Sequence, residues 1–157
     1  NFHPTTFISA SADWTIRIWD SNFSTQIMSF DLGMIVVDVM WAPYSSAVFA
    51  CATLEKVYVY DLNIEKHKSM ADHKPVKNPK LTNLCFNYKD PILLLGDTYG
   101  GITLIKLSPN PTKRGPEPKK EIDLKNPPPV LTPKQIDEFE REKMNALLAL
   151  VTKWERE

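Results

Sequence analysis

Apolar and polar residues alternate strictly in two stretches of the chain, and each ends in an aromatic residue followed by aspartate: Thr15-Ile16-Arg17-Ile18-Trp19-Asp20 and Lys56-Val57-Tyr58-Val59-Tyr60-Asp61. A period of two is that of a β-strand with one face in a core. A third copy, Gly101-Ile102-Thr103-Leu104-Ile105-Lys106-Leu107, starts 45 residues after the second and keeps the alternation without the aromatic-Asp ending. Ahead of each copy, across a tight turn, lies another apolar run: Thr6-Phe7-Ile8-Ser9, Ala47-Val48-Phe49-Ala50-Cys51 and Pro91-Ile92-Leu93-Leu94-Leu95. Each pair predicts a hairpin. An element with an aromatic residue, and often Pro, precedes each hairpin: Phe2-His3-Pro4, then residues 37–43 with Trp41, then Leu84-Cys85-Phe86-Asn87. Residues 26–30 and 66–70 complete a count of four strands per unit.

Short, evenly spaced strands rich in Val, Ile and aromatics predict antiparallel β structure, and four-stranded units repeated at this spacing stack as the blades of a propeller. Residues 1–107 are therefore expected to form an all-β, partial β-propeller of about two and a half blades, where closed rings use roughly four to eight. The chain begins inside a blade, which suggests the C-terminal piece of a longer chain or one segment of an assembly. Alone in water it would expose an unpaired sheet edge.

The pattern changes after Leu107, since eight of the thirteen prolines fall between Pro109 and Pro133 among scattered Lys and Arg. Residues 108–132 read as an extended Pro-rich linker, and Pro127-Pro128-Pro129 suits a stiff spacer or a ligand for an aromatic groove. Thr132 is a good N-cap, Pro133 fits the first helical position, and Gln135 completes a Thr-x-x-Gln capping box, with Leu131 and Ile136 placed as the hydrophobic staple. A helix is predicted over 133–156, running to about Trp154, which is about 33 Å of axis. Ile136, Phe139, Met144, Leu147, Leu148, Val151 and Trp154 share one half of its circumference, while Glu138, Arg141, Glu142 and Lys153 lie mostly opposite. Asp137 and Arg141 form an i,i+4 pair. The apolar stripe has three possible seats: the chain's own blades, another subunit, or a membrane surface. The long spacer favours another subunit, and the acids on the polar face disfavour anionic lipid.

Charge and chemistry narrow the function. Net charge is zero, and it is balanced in both parts, with nine basic and ten acidic residues in 1–107 and ten basic and nine acidic in 108–157. Such a chain has no electrostatic footprint for nucleic acid. Cys51 and Cys85 stand on predicted strands without metal-ligand spacing and read as buried thiols in a reducing cytoplasm. No run of 18 apolar residues occurs, so no membrane span is expected. His3, His67 and His73 are scattered, which argues against a metal. Residues 96–101 are Gly-rich but lie within a hairpin and lack the Lys of a phosphate loop, so they read as a turn. The serines lack a nucleophile frame. Neither an enzyme nor a cofactor is expected. Trp14, at a hairpin tip where Gly is usual, and Tyr99 in the equivalent turn are candidate partner contacts. The helix residues Ile136, Phe139, Leu147, Val151 and Trp154 are the other candidates.

The hairpin pattern resembles the WD-repeat family. The resemblance implies that Asp13 accepts backbone N–H bonds in its turn, that Trp19 and Tyr60 end the third strand of their blades and pack between adjacent sheets, and that Asp20 and Asp61 open the following turns. Trp41 and Asp97 join this structural set, with Asp97 in a longer turn and Leu54 standing where Asp13 stands in the first repeat. The Gly-His pair usual in the family is missing before every blade.

A narrower likeness rests on Phe30-Asp31-Leu32-Gly33, Asp38-Val39-Met40-Trp41-Ala42-Pro43-Tyr44-Ser45-Ser46-Ala47-Val48-Phe49-Ala50, Tyr60-Asp61-Leu62-Asn63, Gly96-Asp97 and Lys106-Leu107-Ser108-Pro109-Asn110. Over roughly residues 1–110 the chain resembles the C-terminal WD-repeat region of axonemal outer-arm dynein intermediate chains. That implies a non-catalytic scaffold of the ciliary or flagellar axoneme. It would hold the dynein heavy chain, a second dynein intermediate chain and dynein light chains, and meet the microtubule doublet indirectly. The tail helix would strap onto a neighbouring subunit, and its removal would leave the blades folded. A WD-repeat adaptor of another complex, such as a ubiquitin ligase or a trafficking scaffold, is the alternative.

Overall fold

The computed structural model describes residues 2–75, 80–107 and 132–154, with the side chains of 152–154 left out. Ten strands and one helix follow in order: β1 (Thr6–Ala10), β2 (Thr15–Asp20), β3 (Gln26–Asp31), β4 (Val36–Trp41), β5 (Val48–Thr53), β6 (Val57–Asp61), β7 (Ala71–His73), β8 (Leu81–Phe86), β9 (Ile92–Asp97), β10 (Ile102–Lys106) and α1 (Pro133–Trp154). They form three antiparallel sheets, ordered β1-β2-β3, β4-β5-β6-β7 and β10-β9-β8. This is the mostly β architecture of a partial WD-repeat propeller with a C-terminal helix.

Two strand expectations need correction. Phe2-His3-Pro4 is not a strand, so the first sheet has three strands. Pro4 has no N–H to give to a ladder, and His3 is turned to other bonds described below. The outer strand of the second sheet is Ala71–His73, not residues 66–70, and it pairs Val59 with Ala71 and Val57 with His73. The turn after Asp61 uses up the intervening residues: the N–H groups of Ile64 and Glu65 both bond the Asp61 carbonyl, and pairing resumes only when Met70 N–H reaches Val59 at 2.8 Å. The linker expected over 108–132 lies outside the described residues up to 131.

The second sheet is the centre of the structure. All six residues of β5 are buried, and their alternation splits them between two cores. Phe49 and Cys51 join Ile16, Ile18, Ile27, Phe30 and Tyr60 on the side of the first sheet. Val48, Ala50 and Ala52 join Leu84, Phe86, Leu93 and Leu95 on the side of the third. A strand covered on both faces reads as a continuous apolar run, as Ala47-Val48-Phe49-Ala50-Cys51 does. Burial pushes the Cys51 thiol up to about 12, so it stays protonated at neutral pH.

An aromatic cluster closes the first seam. Tyr60 stacks on its cross-strand neighbour Phe49 at 4.9 Å, and Phe30 of the first sheet meets Tyr60 at 5.1 Å and Phe49 at 5.7 Å. Trp41 adds an edge contact to Phe49 at 5.5 Å. Such pairs stabilise by about 0.5–1.5 kcal/mol beyond the area they bury. Tyr60 thus packs between sheets. Trp19 stacks on Phe7, its partner across β1 and β2, at 6.1 Å, on the face of the first sheet turned away from this core. Its indole N–H donates to Ser9 Oγ at 2.9 Å.

Truncating Phe49 to alanine removes the ring shared by Phe30, Tyr60 and Trp41. The expected loss is about 3–5 kcal/mol in urea unfolding of the chain; a loss below about 1 kcal/mol would show that the seam does not hold the sheets together.

Candidate functional site: two rims and a docked helix

The aromatic-Asp endings build the same turn twice. Asp20 Oδ1 accepts the backbone N–H of Asn22 at 3.0 Å and its side-chain amide at 2.9 Å. Asp61 Oδ1 accepts the same two groups of Asn63, at 3.0 and 3.1 Å. A carboxylate suits this place because it only accepts. These turns aim the chain from each hairpin towards the outer strand that follows.

Because successive strands run antiparallel, the connections alternate between two rims. Backbone bonds tie neighbours on the first rim: Leu32 N–H to the Trp14 carbonyl at 3.0 Å, Leu81 to Leu54 at 2.9 Å, and Thr98 to Lys80 at 2.9 Å. Asp13 orders the first turn there, accepting Thr15 N–H at 3.0 Å and the Thr15 hydroxyl at 2.7 Å, with Arg17 at 3.2 Å. The Thr15 bonds, chiefly its hydroxyl's, hold the Asp13 carboxyl below the ordinary carboxylate range. Asp97 orders its longer turn, accepting the N–H groups of Tyr99 at 2.8 Å and Gly101 at 2.9 Å.

Trp14 is the unusual residue on this rim. Its φ is +74°, the only positive value among the described non-glycine residues, whereas the β9–β10 turn uses Gly100 at +80°. The left-handed region costs a residue with a Cβ roughly 1–2 kcal/mol. The indole is nevertheless 50% exposed, and Tyr99 is 83% exposed.

The second rim carries the helix. The side chain of Gln135 reaches back to Thr132, accepting its N–H and its hydroxyl, each at 2.9 Å, which is the Gln half of the expected capping box. Leu131, the other half of the expected staple, lies outside the described residues. From this start the helix lies across the chain's own sheets: Met144, Leu147 and Leu148 are buried in the core between the first and second sheets, with Val151 packed against it. The expectation that the stripe seats on another subunit is corrected for these residues, because Ile27, Met28 and Phe30 present an apolar surface that the stripe matches. Removing the helix would uncover that part of the core.

A buried acid fixes the seat. Glu140 is 2% exposed, and its Oε2 accepts Ser46 N–H at 2.8 Å, Ser46 Oγ at 2.9 Å and Ser45 Oγ at 3.3 Å. Lys143 approaches Oε1 at 3.6 Å. This, not the suggested Asp137–Arg141 pair, is the ion pair on the helix among the described residues. Higher up, His3 Nε2 donates to Asn145 Oδ1 at 2.8 Å while its Nδ1 accepts from the hydroxyls of Thr6 and Thr5. A carboxylate taken out of water needs such a full set of donors.

No family model matches the chain. Among curated proteins it is 45% identical over 155 residues, 96% of its length, to "Dynein intermediate chain 2, ciliary" of Heliocidaris crassispina, of which it covers 21%. It is 42% identical over 113 residues, 70% of its length, to "Dynein, 78 kDa intermediate chain, flagellar outer arm" of Chlamydomonas reinhardtii, covering 16% of that protein. It is 40% identical over 132 residues to "Dynein axonemal intermediate chain 1" of Bos taurus, covering 19%. The chain belongs to the axonemal dynein intermediate chains. It spans about a fifth of the length of these relatives. The names of these relatives place them in the cilium, the flagellar outer arm and the axoneme.

In this intermediate chain the residues expected to meet partners fall into two groups. Trp14 and Tyr99 stand free on the first rim, whereas Leu147 is in the core and Ile136, Phe139 and Val151 are half-buried. The side chain of Trp154 lies outside the described residues. Sequence reasoning missed Glu140, Ser45 and Ser46. The signal was present: Glu140 stands four residues before Met144 and seven before Leu147, which places an acid inside the apolar stripe. Glu140→Ala leaves Ser46 N–H and two hydroxyls without an acceptor and is expected to cost about 1–3 kcal/mol in urea unfolding, with Glu140→Gln costing less. Equal losses would mean that charge, not hydrogen bonding, holds the helix.

Proposed function

We propose that the chain is the blade-bearing part of a non-catalytic scaffold subunit of an outer-arm dynein. In this role it holds the heavy chain and sits beside a second intermediate chain and the light chains, with the microtubule doublet reached through them. The observation that carries the reading is Trp14, a large ring kept half in water on a backbone conformation that glycine adopts without cost. Strain of this kind persists where the surroundings over-determine it and is concentrated at functional positions. A rigid aromatic held at a fixed place is also the usual anchor of a protein interface. Tyr99 extends the same rim. The flagellar outer-arm relative supports the placement in that arm.

Trp14→Gly separates binding from folding. In the full-length subunit, stability is expected to stay level or rise by up to about 1 kcal/mol as the backbone strain is relieved. Co-sedimentation with the heavy chain is expected to weaken by about tenfold or more, as for the loss of an interface anchor. Undiminished co-sedimentation of Trp14→Gly combined with Tyr99→Ser would remove the first rim from the heavy-chain contact.

A further inference from the structure

We propose that the open face of the third sheet seats a further β-sheet of the same polypeptide in the full-length subunit, and that the Asn83 side chain clamps the inner strand of that sheet by accepting a backbone N–H.

The seam between the second and third sheets shows how such a joint is made. In β4 the pairing with β5 shifts register between Val36 and Asp38, and the Asp38 side chain reaches across to β8, where its Oδ2 accepts Leu84 N–H at 2.9 Å. Its Oδ1 accepts Val39 N–H, also at 2.9 Å. Beside Asp38 on the same face stand Ala52 and Val57, and one pair further along stand Met40, Ala50 and Val59. The third sheet covers this face and buries Ala50, Ala52, Val57 and Val59.

The third sheet repeats the construction position for position. Its strand β8 shifts register against β9 between Leu81 and Asn83, so Asn83 stands where Asp38 stands. Gly96 and Ile102 lie beside it in the places of Ala52 and Val57, and Cys85, Leu94 and Leu104 follow in the places of Met40, Ala50 and Val59. No described residue covers this second copy: Asn83 and Cys85 are exposed, Ile102 is 71% exposed and Leu104 65%. A sheet face that meets water carries polar residues at its outward positions, whereas this one carries Leu94, Ile102 and Leu104. The polar exception is Asn83. Its side chain has no partner among the described residues, and its carbonyl oxygen can accept as the Asp38 carboxylate does.

The occupant continues an interface that already exists. The three sheets stack in chain order, and Asp38 points from the earlier sheet of its seam to the later. Asn83 therefore points to the next place in the stack. A sheet offers both a backbone N–H at a register shift and an aliphatic face, whereas a helix has its N–H groups paired within itself. This chain covers 21% and 19% of two of its relatives, so a full-length subunit has the length for more sheets.

The test uses the isolated full-length subunit, with p-benzoylphenylalanine in place of Leu104. Cross-links are expected within the same polypeptide, to a segment outside residues 1–157. Maleimide labelling resolved by mass spectrometry reads the same face through Cys85, which is expected to react about a hundredfold more slowly in the native subunit than in urea. Asn83→Asp keeps an acceptor and is expected to label within about twofold of the wild type, whereas Asn83→Leu has none and is expected to label about tenfold faster. Cys51, buried in the other seam, labels slowly in both variants if the chain is folded. Cross-links confined to residues 108–131 or to a second copy, a native Cys85 that reacts as fast as in urea, or equal labelling of the two variants would each overturn the proposal. No dynein partner takes part, so none of these outcomes bears on the scaffold reading.

Discussion

The stack of Tyr60 on Phe49, with Phe30 set against both, is the contact on which the rest of the structure depends. A small sheet becomes stable in water through the packing of its hydrophobic face. β5 is covered twice, and the side chain that leads its first-sheet face is Phe49. Two rings from the second sheet and one from the first meet at one point, so the relative setting of the sheets is fixed by the shapes of a few large planar groups. Everything further out, including the rims and the seat of the helix, inherits its geometry from that setting.

Much of this was legible because period two and the chemistry of turns are local. Thr15-Ile16-Arg17-Ile18-Trp19-Asp20 announces a strand with one buried face, and the aspartate announces its end. The capping box at Thr132 marks the helix start for the same reason: donor and acceptor lie three residues apart. What stayed hidden depends on residues far apart in the chain. Residues 66–70 carry no pattern, and the outer strand starts only where Val59 offers a carbonyl. Trp19 has the composition of an inter-sheet residue, yet which sheet lies beside it is a question of neighbours. Glu140 looked like one more acid on a charged helix until Ser45 and Ser46 were brought to it.

The alternation of connections between two rims divides the work of the molecule. The first rim is built from tight, carboxylate-ordered turns that hold their side chains out at fixed places. The second is smoothed by a helix that fills the gap between two sheets and shares a groove with the outermost strand. Both kinds of surface would serve the proposed scaffold role, since rigid projections suit anchoring and long shallow features suit extended partners.

The helix has one more consequence, which concerns time. Met144, Leu147 and Leu148 complete a core whose other members, from Ile16 to Leu62, leave the ribosome much earlier. The strands of the first seam must therefore wait for the helix. Until the helix emerges, Ile27, Met28 and Phe30 have an uncovered flank, and a nascent chain in that condition is a client for whatever shields apolar surface in the cytoplasm.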